Sequence, residues 1–147
     1  VIDINTPLIK AYYEALAGNI FMPGSGTVVS VYEGEEPDNL QDKAYIVLGD
    51  VVSSDDSTKS SSDTATSIQI GIYTWENKYN TALTANDIAN QVYAIIKPSP
   101  NAVLLVDGIQ MLNLRVSNDR VERVGVLAGR KYINRIIIFQ QDLFIFN

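Results

Sequence analysis

Carboxylates are the side chains this chain supplies most readily for chemistry. Asp55, Asp56 and Asp63 share the polar stretch SSDDSTKSSSD, and Glu35, Glu36 and Asp38 cluster in GEEPD. Acids grouped in this way could hold a hard cation or serve as general acid and base, provided that burial shifts their pKa or that further ligands complete the shell. The first stretch lacks the alternating D-x-D-x-D-G order with a distal Glu that shapes a calcium loop. The second sits on a polar turn with nothing nearby to desolvate it. Hydrated surface is therefore the expectation for both, with no catalytic residue, no metal and no cofactor. The 147 residues include no histidine and no cysteine, which excludes thiol nucleophiles, Cys/His zinc sites, Ser-His-Asp triads and imidazole acid–base chemistry. An enzyme that relies on its Asp/Glu clusters would need a deep pocket into which they converge.

The basic residues are unevenly spread. Lys10, Lys43, Lys59, Lys78 and Lys97 are scattered, whereas every arginine (Arg115, Arg120, Arg123, Arg130 and Arg135) lies in the last third, with Lys131 beside them. Arginine suits planar, bidentate pairing with carboxylates across protein interfaces. An acidic front half and an arginine-bearing back half could thus meet head to tail between copies of the chain. The formal net charge of −6 argues against a protein held to nucleic acid by phosphate contacts. Near the C-terminus, IIIF and LFIF are hydrophobic and nearly uncharged, and such a strand left bare at a sheet edge invites aggregation. Phe144 and Phe146 are candidates for contact with a neighbouring subunit, whereas Ile136 to Phe139 are expected in the chain's own core.

These residues need elements to position them. TPLIKAYYEALAG reads as a helix, with Thr6 as N-cap, Pro7 in the first turn, Gly18 past the end and Leu8, Tyr12, Ala15 and Leu16 on one face. MPGSG is a turn: TVVSVY after it predicts a strand, so the glycines lack the helix N-terminus that a phosphate loop requires. AYIVLGDVV, Ala44 to Val52, carries apolar side chains on both parities and predicts a strand covered on both faces. TSIQIGIYTW alternates as a half-buried strand, and pairs economically with AYIVLGDVV as an antiparallel hairpin through the polar stretch. A second helix is expected from Thr84, as cap with Asp87 in a capping box, to Lys97, with Ile88, Val92, Ile95 and Ile96 as its stripe and Pro98 as its stop. IQMLNLRVS then alternates Leu112, Leu114 and Val116, and RKYINRIIIFQQDLFIFN is a strand that is long or broken at Gln140 to Asp142. The fold class is α+β: a mainly antiparallel sheet with two helices packed on one face and a long polar hairpin loop between two central strands. The whole chain, 1–147, reads as one domain with a flexible loop at 53–64. No apolar run is long enough for a membrane span and no secretory signal is legible, so synthesis in the cytoplasm without a membrane partner is expected.

The order of these features, from LIKAYYEALAG through the Pro/Gly break to IQIGIYTWENKYNTALTANDIANQVYAIIK, resembles the tail-completion, or tail-terminator, proteins of tailed bacteriophages and related head–tail neck rings. The match is best in the middle, where a strand ending in Trp75 turns through polar residues into the second helix. The resemblance implies a non-enzymatic virion protein, assembled in the bacterial host cytoplasm and located at the head–tail junction or tail end. It implies a homo-oligomeric ring, a hexamer or a dodecamer in a neck, that meets a portal or adaptor ring and tail-tube or tail-hub proteins, with DNA only as passing cargo. Contacts between subunits would fall on Asp55, Asp56, Lys59 and Asp63 in the polar stretch, on Arg115, Arg120, Arg123, Arg130 and Lys131, and on Phe144 and Phe146. The polar stretch is longer and richer in serine than the family leads one to expect. A small carboxylate-based enzyme and a monomeric module that captures a partner strand on a sheet edge are the competing readings.

Overall fold

A computed structural model describes residues 3–35, 44–55, 63–76, 81–127 and 130–145. The first helix, α1 (Asn5–Leu16), begins one residue before the expected cap. Asp3 does the capping instead: its Oδ1 accepts from the backbone N–H of Asn5 at 2.9 Å and of Thr6 at 3.4 Å. Thr6 therefore lies inside the first turn, where the donors left open by the helix start are met from three residues back. At the other end Ala17 N–H donates to Tyr13 O, and Gly18 takes the left-handed φ of 79° that follows a helix terminus. Leu8, Tyr12 and Leu16 are fully buried.

MPGSG folds as a turn, closed by Met22 N–H to Thr27 O at 2.7 Å, with Gly24 and Gly26 at positive φ. Strand β1 (Ser30–Glu33) follows it and pairs in parallel with β2 (Ala44–Asp55). β2 and β3 (Asp63–Glu76) form the antiparallel hairpin that the sequence predicts. The hairpin is longer than expected, however. Ser53, Ser54 and Asp55 pair with Thr66, Ala65 and Thr64, so the ladder consumes both ends of the predicted 53–64 loop. Residues 56–62 lie outside the described residues.

The second helix, α2 (Thr81–Ile96), starts before Thr84, which is buried inside it. Asp87 accepts from Gln91 Nε2 at 2.9 Å, one turn along the helix, in place of the capping role expected of it. Ala85, Ile88, Ala89, Val92 and Ile96 are buried. A long hairpin then closes the chain, β4 (Ile109–Leu127) and β5 (Arg130–Ile145). β5 is unbroken at Gln140 to Asp142, whose partners in β3 are Ser67, Thr66 and Ala65. The predicted alternation in β4 fails, because the register shifts between Leu112 and Arg115 and Asn113 adopts a φ of 54°. That bulge turns Leu114 inward to join Met111 in the core and leaves Val116 exposed.

The sheet order is β1-β2-β3-β5-β4, mixed only at the parallel β1–β2 pair. Both helices pack on one face, over Ile46, Leu48, Ile68, Ile70, Ile72, Ile137 and Phe139. The α+β class and the one-sided helix layer agree with the sequence reading. On the opposite face Tyr45 stacks on Tyr73 at 5.0 Å and meets Tyr32 edge-on, while Trp75 stacks on Tyr132 at 6.2 Å. These rings help bury Val47 and Ile136 without a helix above them. Gly71 allows the arrangement, since a Cβ there would lie 2.7 Å from the Tyr73 ring. Two-sided cover of β2 ends at its bulge between Leu48 and Val51: Val52 is 65% exposed.

Candidate interaction surface

The register divides the candidate residues between opposite ends of the sheet. Asp63 pairs with Phe144, and Phe144 with Gln110, so the polar stretch leaves the ladder near the start of β4 and the end of β5. Glu76 pairs with Lys131, and Leu127 with Arg130, so Arg130 and Lys131 belong to the far end of the β4–β5 hairpin. Arg115, Arg120 and Arg123 lie along β4, the edge strand. The fold thus gathers five of the candidate cations onto one hairpin and holds them apart, within a single chain, from the acids at 55 and 63. Phe144 is half-buried on β5. Asp56, Lys59 and Phe146 lie outside the described residues.

β4 is paired with β5 on one side and, among the described residues, with no strand on the other. Every residue from Arg115 to Glu122 is exposed, Val116 and Val121 included. The first part of the same edge is occupied: Lys97 Nζ donates to the carbonyls of Pro100 and Leu114, and Leu104 N–H approaches Met111 Sδ at 3.4 Å. A groove of about 510 Å³ runs there between residues 100–106 and the start of β4, without an ionisable side chain in its lining. Leu105, 95% exposed, stands between this groove and a smaller one against α1.

One arginine is neutralised inside the chain. Arg135 grips Asp119 through two bonds, Nε to Oδ1 at 2.9 Å and a terminal nitrogen to Oδ2 at 2.7 Å, and its other terminal nitrogen donates to Asn86 Oδ1 at 2.8 Å. Tyr93 OH donates to Asp119 Oδ2 at 2.7 Å. The guanidinium holds the Asp119 carboxyl below its ordinary value, chiefly through these hydrogen bonds. Burial, reinforced by the carboxylate, pushes the Tyr93 hydroxyl up to about 12. This clamp joins α2 to both strands of the hairpin. The sequence conceals it, because the diagonal pairing of Asp119 with Arg135 requires the register in which Asp119 opposes Ile137.

The remaining exposed cations are less occupied. Arg120 pairs with Glu122 at 2.9 Å on an open surface, and Arg115 donates to its neighbouring carbonyl at Asn113. At the opposite sheet edge Glu33, Glu35 and Asp50 are exposed, and no lysine or arginine occurs among the described residues from 19 to 55. A hollow of about 360 Å³ opens beside this edge on the helix-free face, where Gly49 leaves room between Asp50, Gln69 and Tyr73. Among the described residues no group of three or more acids is placed to hold a metal ion, and this hollow contains a single carboxylate. No helix among them is long and apolar enough to cross a membrane.

The architecture, a helix pair on one face of a five-stranded sheet with a long terminal hairpin, is one already seen in a solved assembly. The chain matches, with a TM-score of 0.71 and 20% identity, a chain from a structure described as the virion of native gene transfer agent (GTA) particle. The match covers 93% of this chain and 94% of that one, and it establishes a shared fold. No protein-family model and no curated protein sequence matches the chain.

Proposed function

We propose that this chain is a non-enzymatic structural subunit of a phage-like virion, a tail-terminator or neck protein that forms a ring between head and tail and lets DNA pass through its lumen. The carrying observation is the fold shared, over almost the full length of both chains, with a component of a virion particle. The distribution of surface features supports the same reading. A ring of identical subunits needs two different, complementary faces on each copy, and this sheet has a basic edge at β4 and an acidic one at β1. The competing enzyme reading requires carboxylates that converge in a deep pocket; the large groove is lined by none, the hollow beside Gly49 by Asp50 alone, and the smaller hollow against α1 by the exposed Glu14 and Asp107.

Mass photometry and native mass spectrometry test the proposal. A closed ring is expected, either from the protein alone or on addition of a portal-adaptor or tail-tube protein. A protein that stays monomeric and binds neither would overturn it. The free edge of β4 also suits capture of an extended peptide, and a stable monomer that takes up such a strand would favour that second reading.

A further inference from the structure

We infer that the outer edge of β4 docks on the β1–β2 edge of a second copy of this chain, with Arg115 and Arg120 set against Glu33, Glu35 and Asp50. The inference rests on the ring reading and assigns its contact. Three observations carry it. First, β4 from Arg115 to Glu122 is solvated on both faces and along one edge, including the apolar Val116 and Val121. Apart from the clamp at Asp119, a strand in that condition is held by one ladder, and proteins ordinarily cover such an edge. Second, the two ends of the sheet differ in charge. The sequence from 115 to 135 contains six cations and two acids, Asp119 and Glu122, and Asp119 is already committed to Arg135. The β1–β2 edge carries exposed carboxylates and, among its described residues, no cation. Third, the strand order places these edges at opposite limits of the sheet. They cannot meet within one chain, and a basic edge that meets an acidic edge on the next copy generates a head-to-tail series able to close. Like charges brought together at such a contact repel, so the same surfaces also reject a reversed orientation.

Two charge-reversed chains test the contact. One carries Arg115→Glu with Arg120→Glu; the other carries Glu33→Arg with Glu35→Arg. Every substituted position is exposed, and circular dichroism with thermal melting confirms that each chain folds. Sedimentation velocity over a concentration series is expected to show assembly by the unaltered protein and a midpoint at least about tenfold higher for each reversed chain alone. Mixed in equal amounts, the two are expected to assemble again, because each now presents the charge that the other needs. Two outcomes overturn the contact while leaving the ring intact: reversed chains that assemble as well as the unaltered protein, or folded reversed chains that remain apart when mixed. An unaltered protein that never assembles, with or without partners, overturns the ring reading and this contact with it.

Discussion

Tyr12 is the residue on which the inside of the molecule converges. Fully buried on α1, it packs against Phe139 and donates its hydroxyl proton to Gln141 Oε1 at 2.6 Å, while Gln141 Nε2 donates to Thr66 Oγ1 at 2.7 Å. Burial raises the phenol pKa far above its ordinary value, so the hydroxyl stays a donor at any working pH. Tyr12→Phe leaves Gln141 Oε1 buried without its proton. The expected loss is about 1–3 kcal/mol in urea unfolding, with assembly unchanged. A loss near zero would show that the amide finds another donor. The stripe of Leu8, Tyr12 and Leu16 was legible from spacing alone; the glutamine was not. Gln141 sits in QQD, which reads as a break in a strand, and only a tyrosine hydroxyl delivered by a helix 129 positions away makes a buried amide tolerable there. The cap at Asp3 is hidden for a related reason, since Thr6 followed by proline satisfies the usual cap pattern while the actual acceptor lies three residues earlier.

Among the elements, the β4–β5 hairpin diverges most from its sequence signature. Alternation identifies a strand only where one face is buried. Every residue of β4 from Arg115 to Glu122 is exposed, so nothing in RVSNDRVE had to alternate, and the strand runs to Leu127 regardless. β2 and β3, which lie under the helices, were legible almost to their ends, and the polar residues that continue them belong to a ladder rather than a loop. The middle of the hairpin is held by the clamp of Arg135, Asp119, Asn86 and Tyr93. Because the folded state lowers the Asp119 pKa from its ordinary 3.8, the clamp's contribution is complete above that value and is lost as pH falls through the lower, folded-state value. Asp119→Asn should therefore cost about 1 kcal/mol at neutral pH. It should also flatten the dependence of unfolding free energy on pH below about 4. Amide hydrogen exchange along Arg115 to Glu122 should quicken in the same variant, whereas exchange unchanged from the parent would mean that the ladder alone secures the hairpin.

At the scale of the whole molecule, the two most polar features occupy different places on the sheet. The β4 edge lies along one side of the sheet, and the stretch SSDDSTKSSSD leaves the sheet at the end where Asp63 opposes Phe144. If β4 makes the subunit-to-subunit contact, the polar stretch is not needed for closure and is available for a component above or below the ring. Deleting Ser57 to Ser61 tests this division while keeping every described rung of the ladder, Asp55 to Thr64 included. Asp56, Ser62 and Asp63 would then form a three-residue connection of a length that hairpins commonly adopt. A shorter loop also lowers the closure entropy slightly. The shortened chain should melt close to the parent temperature and assemble at the same concentration, yet bind a head-side or tail-tube partner more weakly. A wider deletion that takes Ser54 and Asp55 removes two rungs and should lower the melting temperature as well. Loss of self-assembly in the shorter deletion, with the fold intact, would move the subunit contact from the β4 edge to the hairpin end.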